Sequence, residues 1–299
     1  MRIAIVGSGV VGRATGTVFH MCGNEVYFYD VDRNRLKTLQ KEGYNVVDSL
    51  FCAVKKSDVV FVCVPTPTVD GKFAFDYVND AVTGIGRALS LLDGYRVVVV
   101  RSTVLPTTTR CKVVPILERC SGLRAGKGFG VCMNPEFLRE KNAFEDSLNP
   151  ARIVVGELDG QSGDVLEKLY APFNVPIIRT TLDTAEVIKY AANLFLATKI
   201  SFFNEMYMIG KEIGADMNLV SKAVSMDPRI GEYGVLGGNP FDGKCLPKDL
   251  EAFRNYAKST RLNPKLLDAV ALVNEQISAY ASRNGKKKRT PKTRSGKRK

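Results

Sequence analysis

Four short segments hold side chains whose types and spacing suit covalent or acid–base chemistry. In FDGKCLPKDL (241–250), Cys245 stands just before Pro247, with Lys248 and Asp249 following. Proline favours the first turn of a helix, so Cys245 is expected at a helix N-terminus with a lysine near. The dipole and the cation both favour thiolate. An arbitrary cysteine is more often inert packing, but one in a Gly/Pro/Lys loop at a helix start is a good candidate nucleophile. In TAEVIKYAANLFLATKISFFNE (184–205), Lys189 and Asn193 are four apart, and Asn204 lies eleven further on along nearly the same helical face. That polar stripe in an apolar helix faces either solvent or a polar pocket. NPEFLREKNAFED (134–146) reads as a helix with Asn134 as cap and Pro135 at its first position. Glu136 and Glu140 then share a face, with charge pairing to Arg139 or Lys141 as the simpler explanation. RSTVLPTTT (101–109) places Ser102 and Thr103 at a strand end, where an open α/β sheet presents its ligand crevice.

The elements that must position these groups alternate through the first half. RIAIV (2–6), EVYFYD (25–30), DVVFVCV (58–64), RVVVVRS (96–102) and FGVCMN (129–134) are apolar, β-branched strand candidates. Helical patterns fall between them near 11–22, 32–42, 76–92 and 108–120. Such alternation implies βαβ units and a doubly wound parallel sheet. Segments 151–156 and 175–180 extend the sheet around a helix near 161–170. From residue 183 the pattern turns helical throughout: a long helix over 184–215, then helices over 218–225, 248–259 and 264–282. The expected organisation is a dinucleotide-binding Rossmann domain over 1–182, a helical substrate and dimerisation domain over 183–282, and a disordered basic tail over 283–299.

The first strand runs into Gly7-x-Gly9-x-x-Gly12 at a helix start. Gly7 permits the tight turn, Gly9 lets backbone approach a pyrophosphate, and Gly12 lets helix and strand pack closely. Asp30, eighteen residues after Gly12, ends the second strand. A carboxylate there accepts hydrogen bonds from ribose hydroxyls and repels a 2′-phosphate, so NAD is the expected cofactor in preference to NADP. Arg33 and Arg35 lie close by and weigh against that preference.

Composition narrows the function classes. The seven cysteines show no CxxC pair and read as free thiols in a reducing compartment. His20 is the only histidine, so metal chemistry is not expected and acid–base work falls to carboxylates, lysine, tyrosine, cysteine or water. No apolar run is long enough to span a membrane, and the N-terminus enters a strand directly, so a cytoplasmic protein is expected. The net charge of +12 is concentrated in the tail, where ten Lys/Arg occur without an acid; the remainder carries 33 basic and 31 acidic residues. Such a tail is a solvated extension or touches nucleic acid or another anionic surface.

Taken together, GSGVVG, CVPTP (63–67), STVLPTTT, NPEFLRE, EVIKYAAN, DPRIG (227–231) and CLPKD resemble, in order and spacing, the UDP-glucose 6-dehydrogenase family, with GDP-mannose and UDP-N-acetyl-sugar dehydrogenases as close relatives. The resemblance covers about 1–280. It implies a four-electron oxidation of UDP-glucose to UDP-glucuronate with two NAD reduced. It further implies Cys245 as the nucleophile of a thiohemiacetal and thioester, and Lys189 with Asn193 as oxyanion stabilisers. Glu136 matches the acid–base carboxylate, with Asp249 and Thr103 helping to place water. Thr66, Thr103, Glu140 and Lys248 match positions near the nicotinamide or its ribose, and Asp30 and Arg35 the adenosine end. A homodimer through the helical domain is also implied. Two departures stand out. Family members carry a third, C-terminal UDP-binding domain that this sequence is expected to lack, and Pro240 and Asp242 replace common glycines in the loop before Cys245. Two other readings compete: a two-electron β-hydroxyacid dehydrogenase, which would need neither Cys245 nor the glutamates, and a truncated, partner-dependent or non-catalytic homologue.

Overall fold

A computed structural model describes residues 1–243 and 245–287, in two units: Met1–Tyr190, and a second beginning at Ala191. The first unit alternates as expected. Its elements are β1 (Arg2–Val6), α1 (Val10–Met21), β2 (Glu25–Tyr29), α2 (Arg33–Lys41), β3 (Asn45–Val46), α3 (Leu50–Lys56) and β4 (Val59–Val62). A hairpin of β5 (Thr68–Val69) and β6 (Lys72–Phe73) precedes α4 (Asp76–Leu89) and β7 (Val97–Val100). A π-helical turn at Thr109–Val113 leads into α5 (Val114–Ser121), followed by β8 (Gly130–Met133), α6 (Ala143–Leu148), β9 (Ile153–Glu157), α7 (Gly160–Tyr170) and β10 (Ile177–Thr181). The helix α8 (Leu182–Glu212) begins in this unit and continues into the next.

Eight strands form one sheet in the order β10-β9-β8-β7-β4-β1-β2-β3. Every pairing is parallel except β8 with β9, which is antiparallel, so the sheet is mostly parallel. The central strands VVFV and VVVV are buried at every position, because helices cover both faces and no alternation is needed. Chain order reverses between β1 and β4, which puts the loops after those strands side by side at a topological switch point. Gly7 (φ +95°) closes this junction; a Cβ there would press on the Cys63 carbonyl.

The second unit holds the rest of α8, then α9 (Met217–Ser225), α10 (Leu246–Ser259) and α11 (Lys265–Lys287). The expected disordered tail from 283 is corrected in part: residues 283–287, a stretch without proline, continue the last helix. The remainder of the tail, and any contact it makes with nucleic acid or an anionic surface, lies outside the described residues. Among the described residues no helix is long and apolar enough to cross a membrane. All seven cysteines are free thiols.

One buried charge ties α8 to the turn after β7. The Glu186 side chain is fully buried; one oxygen accepts the Thr109 N–H at 2.7 Å and the other has no partner among the described residues. Burial pushes its carboxyl up from 4.5 to about 7, the Thr109 hydrogen bond offsetting only part of that rise. Between those values the folded chain binds more protons than the unfolded one, so stability falls as pH rises through the window from about 4.5 to about 7. Urea unfolding from pH 4.5 to 7.5 is expected to show this slope in the native chain and a flatter profile in Glu186→Gln. Equal slopes would contradict the assignment.

Candidate active site

The dinucleotide motif has the local geometry its sequence implies. The helix α1 starts with Gly9 as N-cap and no side-chain cap, so its first-turn N–H groups are left for an anion. A Cβ on Gly12 would run into the Gly7 carbonyl, whereas one on Gly9 would meet only the end of Arg35. Asp30 is buried at the end of β2; Oδ2 accepts the Ser8 N–H at 2.6 Å and Oδ1 the Asp32 N–H at 2.9 Å. Arg35 lies 3.5 Å from Asp30 and 3.3 Å from Asp32, so its charge is drawn into local pairs. An uncapped helix start, a close glycine turn and a fixed carboxylate fit the pyrophosphate and ribose of a dinucleotide. In the neighbouring loops, Thr66 is buried and Thr103 half-buried. The Ser102 hydroxyl donates to the Val64 carbonyl at 2.6 Å and so joins the turn after β7 to the one after β4.

Residues 134–139 correct an expectation: they form no helix, and Asn134 caps none. Its side chain is drawn inward, with Nδ2 donating to the Val154 carbonyl and Oδ1 accepting from Tyr170 and Arg101. Helix begins only beyond Arg139, as a short 3₁₀ turn over Glu140–Asn142 and then α6. The shared helical face expected for Glu136 and Glu140 is therefore absent: Glu136 is buried and Glu140 exposed. Arg139 pairs with Asp146.

Glu136 meets Lys189 instead. The Lys189 ammonium, 3% exposed, donates to the Glu136 carbonyl at 2.6 Å and to Oε1 at 2.9 Å, while Oε2 accepts the Leu138 N–H at 2.6 Å. Burial pushes the Glu136 carboxyl up, but the Lys189 charge, the Leu138 N–H and the Arg101 guanidinium outweigh it and hold the group below its ordinary value. A buried carboxylate beside a buried ammonium can exchange a proton with a substrate and change the local charge as it does so.

The second unit positions the remaining candidates. Cys245 is the N-cap residue of α10, with Pro247 in the first turn, and its side chain is exposed. The Asp249 N–H donates to the Cys245 carbonyl at 2.9 Å, placing the two one turn apart. Asp249 is 1% exposed; Oδ2 accepts from Asn193 at 2.7 Å and Oδ1 from Lys248 at 2.6 Å. Lys189, Asn193 and Asn204 are all buried, so the polar stripe on α8 does not face solvent. Asn204 accepts the Gly238 N–H at 2.9 Å and donates to the Asn239 carbonyl at 2.8 Å. Asn274 does the same to both backbone groups of Phe241, at 2.8 and 3.1 Å. Two asparagines thus hold the segment that leads to Cys245. Sequence reasoning passed over Asn274 and Arg101, although each is a polar residue interrupting an apolar run, in ALVNEQI and VVVVR.

Comparison with known proteins finds relatives for both units. Residues 46–174 match the NAD binding domain of the UDP-glucose/GDP-mannose dehydrogenase family and residues 183–276 its central domain. Residues 2–73, which hold the glycine motif and Asp30, match a domain described as NADP oxidoreductase, coenzyme F420-dependent. The chain is 38% identical to UDP-glucose 6-dehydrogenase TuaD of Bacillus subtilis, with 92% of this chain aligned to 63% of that protein. It is 37% identical to GDP-mannose 6-dehydrogenase of Pseudomonas putida, with 92% of this chain aligned to 68% of that protein. A solved UDP-glucose dehydrogenase from Pyrobaculum islandicum superposes with a TM-score of 0.89 at 33% identity, over 96% of this chain and 71% of that one. The chain thus spans about two thirds of the length of these relatives. It belongs to the UDP-glucose/GDP-mannose dehydrogenase family, and NAD is the cofactor of its first domain.

Proposed function

We propose that the chain oxidises a nucleotide sugar by four electrons, UDP-glucose to UDP-glucuronate, through a thioester on Cys245. The observation that carries this reading is Cys245 at the N-cap of α10, one turn before the buried and doubly held Asp249. A helix N-terminus favours thiolate, and a thiolate is what a two-stage oxidation needs to retain the aldehyde. NAD would be held by Gly7, Gly9, Gly12, Asp30, Arg35, Thr66, Thr103, Glu140 and Lys248 and would supply the hydride acceptor for both oxidations. Cys245 adds to the C6 aldehyde to give a thiohemiacetal, which on oxidation becomes a thioester; water then cleaves the C–S bond, returning thiolate and the acid. Glu136 takes the proton of the attacking water, with Asp249 and Thr103 helping to place that water. Two of the three Lys189 N–H groups are taken by Glu136. Protonating Glu136 cancels the charge paired with Lys189, so the ammonium can turn to a developing oxyanion, with Asn193 as second donor.

GDP-mannose is the second reading for the substrate, favoured by the nearly equal identity to the GDP-mannose relative. Steady-state kcat/KM for UDP-glucose, GDP-mannose and UDP-N-acetyl sugars tests the choice. A clear preference for UDP-glucose supports the first reading, and turnover of none of them contradicts both.

A homodimer through the second unit is part of the same proposal. Phe195, Phe202, Met206, Ile209 and Ile213 make an exposed apolar stripe on α8. Phe195, Phe202 and Met206 of this stripe line a groove of about 420 Å³ together with Val220, Val224 and Ile230. A contiguous apolar patch of this kind marks an interaction surface, and a second copy brings the same stripe for an isologous contact. Sedimentation is expected to give a dimer for the native chain and a monomer for Phe202→Lys; a native monomer would contradict it.

A further inference from the structure

We propose that Arg101 is a positioning residue for Glu136, holding the turn that presents its carboxylate and supplying the second buried cation of that region. Arg101 follows the last residue of β7 and is only 8% exposed. Its Nη1 donates to the Asn134 carbonyl at 3.2 Å, to Asn134 Oδ1 at 2.7 Å and to the Pro135 carbonyl at 3.2 Å. The next carbonyl, that of Glu136, accepts from Lys189. Three successive carbonyls therefore point at two cations, which is why this stretch leaves helical geometry and why its carboxylate is presented inward. Asn134 is fixed in turn: Tyr170 donates to its Oδ1 at 2.5 Å, and its Nδ2 donates to the Val154 carbonyl at 2.7 Å.

The charge count gives Arg101 a role beyond scaffolding. Among the described residues no carboxylate lies within salt-bridge distance of its guanidinium, and its Nε is buried without a hydrogen-bond partner. A buried cation served only by neutral groups is costly. Two cations, Arg101 and Lys189, thus lie close to a single buried anion, Glu136. The titratable groups facing that carboxylate are Lys189 from α8, Arg101 from the end of β7 and Cys63 from the end of β4; Tyr170 from α7 faces the guanidinium. Burial pushes the Cys63 thiol up to about 12 and raises the Tyr170 phenol, so both stay neutral near pH 7. Lys189 and Arg101 therefore dominate the field at Glu136. Lys189 must share its ammonium between the carboxylate and the chemistry, whereas the Arg101 guanidinium has no such second task and keeps a positive field on Glu136. The consequence for turnover rests on the acid–base reading of Glu136 given above; the coupling itself does not.

The test is a double-mutant cycle of Arg101→Met with Glu136→Gln in the native full-length chain, read by urea unfolding from pH 4 to 8 without substrate. The expected result is non-additivity at pH 7, with Arg101→Met lowering the folding equilibrium constant roughly tenfold less once Glu136 is Gln. The folded Glu136 carboxyl titrates below its ordinary value, so this coupling is full above that value and is lost as pH falls through the folded one. Arg101→Lys, which keeps charge but loses the fork, is expected to restore most of it. Additive effects at pH 7, or Arg101→Lys behaving as Arg101→Met, would overturn the proposal. Should Arg101→Met fail to fold alone, recovery of folding in the double variant supports the coupling, and failure in both together with Arg101→Lys costing as much stability in the Glu136→Gln background as in the native chain overturns it. In turnover, the acid limb of kcat/KM is expected to move to higher pH in Arg101→Lys with KM for NAD unchanged. A silent turnover assay with an intact coupling would fault the reaction and leave the Arg101–Glu136 link standing.

Discussion

Replacing Cys245 with serine is expected to leave NAD binding intact and to end conversion of a nucleotide sugar to its acid under the proposed mechanism. The glycine motif, Asp30 and the uncapped start of α1 all belong to the first unit, far along the chain from Cys245. The substitution exchanges one exposed sulfur for an oxygen at the start of α10, so stability should stay within about 0.5 kcal/mol of native. Serine keeps the position but not the acidity: a hydroxyl beside a helix N-terminus is not ionised near pH 7, whereas a thiol there is readily lowered into that range. Acid formation is expected to fall by roughly a thousandfold or more, as for loss of other covalent nucleophiles. Stopped-flow NADH absorbance together with NAD titration by calorimetry separates the two effects. Near-native acid production by Cys245→Ser would rule out the thioester.

The second large effect concerns Lys189. Changing it to methionine keeps most of the stem's packing but strands the Glu136 carboxylate, which is buried and loses two Lys189 hydrogen bonds across its side chain and backbone. Removing one partner of a buried pair typically costs about 3–5 kcal/mol, because the remaining charge is uncompensated. The variant's Glu136 should then take up a proton, so its stability falls as pH rises through the raised value, opposite in sign to the native contribution of this group. Lys189→Met/Glu136→Gln should recover most of the stability, since a neutral amide replaces the orphaned charge. Activity should not return: losing an oxyanion donor costs roughly a hundredfold to a thousandfold in rate. Urea unfolding and turnover on the two variants check both parts; equal stability of the single and double variants would contradict the ion-pair account.

Much of this was legible in the sequence, for identifiable reasons. Strands such as VVFV and VVVV stand out because burial on both faces demands unbroken apolar runs, and the long helix α8 because apolar period persists without proline. The short β3, the helix α3 and the hairpin of β5 and β6 did not stand out, being only two to seven residues each. The antiparallel entry of β9 is a pairing choice that periodicity does not encode. At 134–139 the pattern misled: Asn-Pro-Glu is a good helix opening in isolation, but Arg101 and Lys189, distant in sequence, claim the carbonyls that a helix would use. The contacts that fix the site, Lys189 to Glu136 across 53 residues and Asn274 to Phe241 across 33, are of this long-range kind. Cys245, Lys189 and Asn193 stood out as nucleophilic or polar residues at a helix start or in an apolar stripe, whereas Thr66, Glu140 and Lys248 entered only through the resemblance to the family.

The most direct test of the central claim is the number of NADH formed per UDP-glucose consumed by the native chain, with the product identified by mass spectrometry. Two NADH per sugar and UDP-glucuronate as the product are predicted. One NADH per sugar with release of the aldehyde would contradict the four-electron route through Cys245.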